Sequence, residues 1–292
     1  MMIPSDVSQA GLLPATPDRR RGHVLLVEDH AANRKLALAM LDKLGYAADA
    51  VGNGLEAVDA VGRVRYHAVL MDCRMPVMDG FRATEMIRSR ERTSPRIPII
   101  AMTADAMEED RQKCLEAGMD DYLPKPVSLE TLAGVLGRWV PSSGQSSGTP
   151  LPAAASSPDR RAQQEQESVL DPAVIAGLRG LDNRKGPRSV ADLVSVMLVE
   201  TESNVERLRR AVEKRDLDTI ADRSHALAGS VATFGASGMA RLCRLMRTLV
   251  ADGRTEAAGE TLAAIEAEFE RVKVALRAAF PANSGGSRVQ DE

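Results

Sequence analysis

Five short apolar runs alternate with helical patterns through the first half of the chain, and no run of that kind follows. They are "HVLLVED", "YAADAVG", "AVLMD", "IPIIAMTA" and "DDYLPKP". Between them lie "ANRKLALAMLDKLG", "GLEAVDAVGRV", "DGFRATEMIRSRE" and "AMEEDRQKCLEAG", and "LETLAGVLGRWV" closes the series. Nearly continuous apolar strands separated by helices mean a parallel sheet covered on both faces. Gly45 and Gly118 stand where helices should end. The expectation is a doubly wound α/β unit with five parallel strands.

The stretch Pro141 to Ser168, "PSSGQSSGTPLPAAASSPDRRAQQEQES", has almost no large apolar residue. Such a segment cannot bury enough surface to offset ordering, so 141–168 reads as a flexible linker. Residues 1–21 and 282–292 read as disordered tails. Beyond the linker the pattern is helical throughout. "DPAVIAGLRG", "ADLVSVMLVETESNVERLRRAVEKR", "DLDTIADRSHALAGSVATF", "SGMARLCRLMRTLVADG" and "RTEAAGETLAAIEAEFERVKVALRAAF" describe a separate all-α helix bundle over 169–281.

The net charge of −3 gives no footprint for nucleic acid or membrane, and Arg19-Arg20-Arg21 is too short to change that. No apolar run reaches the roughly 18 residues of a membrane span. The N-terminus lacks the layout of a signal peptide. Cys73, Cys114 and Cys243 form an odd set without metal spacing, as expected of reduced thiols. The expectation is a cytoplasmic protein, and the initiator Met favours a free-standing one over the detached tail of a sensor kinase.

In open α/β sheets chemistry collects beyond the carboxyl ends of the strands. Here those ends carry Glu28-Asp29, Asp72, Thr103 and Lys125-Pro126. Carboxylates gathered there repel unless a cation joins them, and hard oxygen ligands suit Mg²⁺. An Asp beside such a metal can attack phosphorus to give an acyl phosphate. A Lys charge and a Thr hydroxyl would then hold the phosphoryl oxygens.

"VLLVEDHAANR", "VLMDCRMPVMDG", "AMTADA" and "GMDDYLPKPV" resemble the landmarks of response-regulator receiver domains over 22–140. The resemblance implies a flavodoxin-like fold with Asp72 as phosphoacceptor. It implies Mg²⁺ held by Glu28, Asp29, Asp72 and the backbone carbonyl of Arg74. It makes Thr103 and Lys125 the phosphoryl ligands, Lys125-Pro126 a cis peptide and Tyr122 a rotamer switch that follows Thr103. Haloacid-dehalogenase-type phosphatases also use an aspartyl nucleophile, but they need a second Asp two positions later, where this chain has Arg74. Cys73, Met75, Pro76 and Met78 read as packing and loop shape. His23 and His67 read as structural, and His30 as near the metal site without a required role.

The second candidate is His225 in "SHALAGSVATFGA". Ile220, Ser224, Leu227, Val231 and Phe234 make a buried stripe. At about 100° per residue, His225 sits roughly 140° from its centre, on the solvent side. Gly229 within a helix costs about 1 kcal/mol against Ala, and clearance around the imidazole is one reason to keep it. An ordinary surface or contact histidine is the competing reading; an open neutral imidazole can carry phosphate on nitrogen. "ADRSHALAGSVATFGASGMARLCRLM" resembles the signature helix of a histidine-phosphotransfer (HPt) domain, with His225, Gly229, Gly235 and Ala236 in place. The resemblance makes His225 a second phosphoacceptor. Its members commonly carry Lys three residues after the histidine, and this chain has Ala228. Arg223 lies about 160° round the helix and is a poor substitute by that geometry.

These readings combine into a phosphorelay intermediate with no kinase domain and no nucleotide loop. Asp72 takes a phosphoryl group from a histidine kinase, hybrid or separate. It exchanges that group with His225, directly or through a further response-regulator receiver. The linker of 28 residues would span roughly 30 Å, enough for the domains to meet. The alternatives are a phosphorylation-dependent interaction switch, with the helical domain as docking module, or a phosphate sink.

Overall fold

The computed structural model describes residues 21–91, 96–103, 108–140, 168–181 and 189–281. The expected linker, both tails and the "ADA" of "AMTADA" lie wholly or almost wholly outside the described residues. The first unit runs β1 (His23–Val27), α1 (Ala31–Lys43), β2 (Ala47–Val51), α2 (Gly54–Arg63), β3 (Ala68–Asp72), α3 (Gly80–Arg90), β4 (Ile99–Thr103), α4 (Glu108–Glu116), β5 (Asp121–Pro124) and α5 (Leu129–Trp139). All pairings are parallel, in the order β2-β1-β3-β4-β5. That is the flavodoxin-like order, whose switch point lies between β1 and β3.

Alternation of side chains along each strand builds two separate apolar layers. Leu25, Val27, Val69, Met71, Ile99 and Ala101 fill one layer with Ala57, Ala83 and Ile87 from α2 and α3. Val24, Leu26, Leu70, Ile100 and Met102 fill the other with Leu36 and Met40 from α1 and Leu132 and Leu136 from α5. The expected helix stops hold, with φ of 83° at Gly45 and 95° at Gly118.

The second unit is helical: α6 (Pro172–Gly180), α7 (Val190–Lys214), α8 (Leu217–Thr233), α9 (Ser237–Ala251) and α10 (Ala258–Ala279), with a 3₁₀ turn at Thr255–Ala257. Side-chain caps set three of the starts. Asp171 caps α6 ahead of Pro172, Ser189 caps α7 and Asp216 caps α8. Gly235, at φ 84°, turns the chain from α8 into α9. The stripe predicted on α8 is buried as read, with Ile220, Ser224, Leu227, Val231 and Phe234 all inside.

The two units do not stand apart. The layer under α1 continues without a break into the bundle, joining Leu36 and Leu41 to Leu198, Leu227 and Phe234 in one cluster. Helix α1 packs against α7 and α8.

Candidate functional site

The carboxyl ends of β1, β3, β4 and β5 bring the predicted residues together. Lys125 Nζ donates to Asp72 Oδ2 at 2.6 Å and to Glu28 Oε2 at 2.8 Å, and all three side chains are buried. The Lys125-Pro126 bond is cis, as the resemblance implies, and Lys125 N–H donates to the Thr103 carbonyl at 2.7 Å. Thr103 is buried at the end of β4. Tyr122 lies on β5, 36% exposed. Arg74 N–H donates to Asp72 Oδ1 at 3.2 Å. Two glycines allow the loops to come this close. A Cβ at Gly80 would stand 2.2 Å from the Asp72 carbonyl oxygen, and one at Gly54 would stand 2.7 Å from the Met78 carbonyl.

The electrostatics are those of crowded acids. Burial raises the Asp72 pKa to about 7, Glu28 and Asp29 add to the rise, and Lys125 opposes it. Burial also works against the Glu28 carboxylate, but Lys125 and His30 overcome it and hold its pKa at about 2. Lys125 is held charged, its burial outweighed by Asp72 and Glu28. His30 differs from expectation. Its Nδ1 lies 2.8 Å from Asp29 Oδ1 and 3.6 Å from Glu28 Oε1. Burial disfavours its charge, yet these carboxylates lift its pKa to about 10. An imidazolium therefore serves as counter-ion in the acid cluster. Glu28, Asp29 and Asp72 remain a set of hard oxygen donors with more negative charge than burial tolerates, which fits a small divalent cation such as Mg²⁺.

The opposite wall comes from the helical unit. Asp29, His30, Asp72, Arg74 and Lys125 share one cavity of about 340 Å³ with Arg223, His225, Gly229 and Ser230. The expected solvent position of His225 is corrected in one respect. The ring points away from the bundle core, but it meets the first unit instead of open water and is half-buried. Burial lowers its pKa to about 3, with Arg247, Arg74, Lys125 and His30 acting in the same direction. Its Nδ1 is buried without a hydrogen-bond partner, so the open edge of the ring carries Nε2. The imidazole is neutral at pH 7 and its lone pair is available.

Position 228 now has a physical explanation. Ala228 is 3% exposed and belongs to the core cluster, where a lysine ammonium would be desolvated. Positive charge reaches His225 from elsewhere, through Arg247 on α9 and through Arg74 and Lys125 of the first unit. Arg223, doubted on angular grounds, does line the cavity. A long side chain reaches round a helix in a way that Cα periodicity does not capture. Met75 and Pro76 are also in the cavity wall. Cys73 and Cys114 are buried with their sulfurs 3.8 Å apart. His23 and His67 are structural, with the His23 N–H donating to His67 Nδ1 at 3.0 Å.

One further contact escaped sequence reasoning. The Glu200 carboxylate on α7 accepts from the first two N–H groups of α1, those of Ala31 at 3.2 Å and Ala32 at 3.0 Å. His30, at the N-cap of α1, makes no side-chain cap of its own.

Comparison with known proteins agrees with this division. Residues 24–136 match the response regulator receiver domain and residues 192–275 match the Hpt domain. The chain is 34% identical over 234 residues to the sensor protein GacS of Pseudomonas syringae pv. syringae, covering 79% of this chain and 25% of that protein. It is 32% identical over 254 residues to the signal transduction histidine-protein kinase BarA of Escherichia coli (strain K12), covering 85% of this chain and 26% of BarA. The chain thus spans about a quarter of the length of these curated relatives. Among solved structures, the receiver domain of the sensor histidine kinase PA1611 from Pseudomonas aeruginosa PAO1, with a magnesium ion in its active-site cleft, is 49% identical. It covers 41% of this chain and 98% of that one, with a TM-score of 0.39.

The fold and site define a receiver domain followed by an Hpt domain. The chain belongs with the two-component phosphorelay proteins. No helix among the described residues is long and apolar enough to cross a membrane.

Proposed function

We propose that the chain is a phosphorelay intermediate in which Asp72 receives a phosphoryl group from a histidine kinase and exchanges it with His225. The observation that carries this reading is that Asp72 and His225 open onto the same cavity. An Asp72 carboxylate oxygen attacks the phosphorus of the donor, the new O–P bond forms, and the donor's N–P bond breaks. Lys125 Nζ, 2.6 Å from Asp72, is in reach of a phosphoryl oxygen there, and the Thr103 hydroxyl takes a second. Glu28, Asp29, Asp72 and the Arg74 carbonyl would hold Mg²⁺, which when bound supplies positive charge to the phosphoryl oxygens. Tyr122 follows Thr103 and reports the charged state to partners on the β4–β5 face.

In the return step the His225 Nε2 lone pair forms an N–P bond as the Asp72 O–P bond breaks and the carboxylate leaves with the electron pair. The proton on Nδ1 stays on the ring while that nitrogen is enclosed and is released to water when the domains separate. His225 remains a neutral nucleophile throughout because its burial disfavours the imidazolium. The partners are a histidine kinase upstream and a further receiver that accepts from or donates to His225.

The test follows labelled phosphate from a cognate kinase into the intact protein, Asp72→Ala and His225→Ala. Aspartyl phosphate is read as base-labile label and phosphohistidine as acid-labile label. The reading expects both species in the intact chain, aspartyl phosphate alone in His225→Ala, and neither in Asp72→Ala until a further receiver is added to supply His225. Label that never appears on His225 from any receiver would refute it.

A further inference from the structure

We propose that Glu200 is a docking latch, and that through it the direct partner of His225 is the receiver of the same chain. This rests on the phosphorelay reading and adds the route of the phosphoryl group.

The first N–H groups of a helix have no partner within it and carry partial positive charge. In most helices a preceding Ser, Asp or Asn takes them, as Asn53 and Asp79 do for α2 and α3. At α1 that position is His30, whose ring is held by Asp29 and Glu28 and makes no cap. The missing acceptor is supplied across the interface by the Glu200 carboxylate, one oxygen to Ala31 N–H and the other to Ala32 N–H. A carboxylate on two amides is the charge-assisted arrangement that fixes both distance and direction. At the far end of the same helix, Lys43 Nζ donates to the Gly180 carbonyl at the close of α6. The helical domain therefore holds α1 at both ends, and helix α7 lies along it.

The geometry has a consequence for transfer. Glu200 binds the residues that directly follow Glu28, Asp29 and His30, so it fixes the bundle against the acid cluster itself. With α1 held, α8 presents His225, Gly229 and Ser230 to the cavity that Asp72 and Lys125 line. Glu200 touches neither phosphoacceptor and is a positioning residue.

The experiment uses the full chain, with Asp72 charged by acetyl phosphate in Mg²⁺ and base-stable phosphohistidine followed over time. Protein concentration is varied over about two decades. Transfer within the chain is first order, with a rate independent of concentration. A mixture of full-length Asp72→Ala and His225→Ala chains, which can only transfer between molecules, should be slower at every concentration and should accelerate as protein is added. Glu200→Lys, which sets a like charge against the α1 N-terminus, should slow the first-order rate by at least about tenfold. Glu200→Asp should recover part of the loss, and circular dichroism melting separates these effects from unfolding. A wild-type rate that scales with concentration and equals that of the mixture would overturn transfer within the chain. An unchanged first-order rate in Glu200→Lys would overturn the latch. Absence of phosphohistidine in both the wild type and the mixture, with Asp72 charged, would instead remove the phosphorelay reading on which the latch rests.

Discussion

Replacing Gly80 by alanine tests how Asp72 is positioned. Gly80 opens α3, its N–H donates to the Cys73 carbonyl at 3.1 Å, and its carbonyl accepts from Thr84 Oγ1 at 2.7 Å. An added Cβ would sit 2.2 Å from the Asp72 carbonyl oxygen and 2.9 Å from Met71 Cγ. Close C···O contacts in proteins settle at about 3.3 Å, so the helix start or the Asp72 backbone must move by about 1 Å. Overpacking of this kind costs about 1–3 kcal/mol, and disturbing the two hydrogen bonds adds about 1 kcal/mol each. We therefore expect Gly80→Ala to destabilise the receiver by about 3–5 kcal/mol in urea titration. A displacement of about 1 Å in a nucleophile can cost about 100-fold in rate, so self-phosphorylation from acetyl phosphate should fall by that order in the folded fraction. Gly62→Ala on α2 is the control, because a Cβ there meets nothing within 4 Å. It should raise stability by up to about 1 kcal/mol and leave phosphorylation unchanged. If Gly80→Ala unfolds within about 0.5 kcal/mol of the parent and phosphorylates normally, the steric argument fails.

Val77 is a β-branched residue at φ 71°, 81% exposed in the loop after Asp72, so it bears left-handed strain with little packing in return. Val77→Gly should stabilise by about 1 kcal/mol net of the glycine's added chain entropy, read as a rise in urea midpoint; a loss would mean the side chain has a partner worth more than the strain. Gly229→Ala separates stability from transfer. A Cβ there meets nothing within 4 Å, so α8 should gain about 1 kcal/mol, while the methyl intrudes on the space beside His225 and slows phosphohistidine formation. Faster or unchanged transfer would show that the space is not used. Docking should weaken in acid. His225 has a pKa of about 3 when docked and ordinarily about 6.5, so the docked form binds fewer protons. The interface is then unaffected above pH 6.5 and weakens as pH falls below it, by at most about 1.4 kcal/mol per unit. Inter-domain energy transfer between dyes would measure this, and His225→Asn should flatten the slope. A slope that persists in that variant would assign it to other groups.

Much of the site was legible because each chemical residue closes a strand. Asp72 and Thr103 end β3 and β4, Glu28 follows β1 directly, and Lys125 follows β5. Once the runs are read as parallel strands, topology alone gathers these four, and the alternation of Leu25 with Leu26 explains the two layers. What the residues did not disclose are relations between distant segments. His30 as an imidazolium depends on how its ring turns toward Asp29, which is a matter of rotamer. The reach of Arg223 into the cavity depends on a flexible side chain. Glu200 sits in a solvent-like stretch of α7, and nothing in "VETESNVE" separates it from Glu202.

One signal for the docking was nonetheless present, in α1. The run Leu36-Ala37-Leu38-Ala39-Met40-Leu41 is apolar without interruption. A helix lying on one face of a sheet needs only a stripe, with polar residues at the remaining angles. At about 100° per residue, Ala32 and Leu41 point to opposite sides of the helix, yet both are fully buried. Strands β1 and β2 cover one side, and α7 lies on another. A helix apolar around its circumference requires two partners. The receiver sheet provides the first, and in this chain the second is the helical domain carried beyond the linker. The same inference explains why His225 lies on the outward side of its own bundle and is still half-buried: the outward side of one domain is the inward side of the pair.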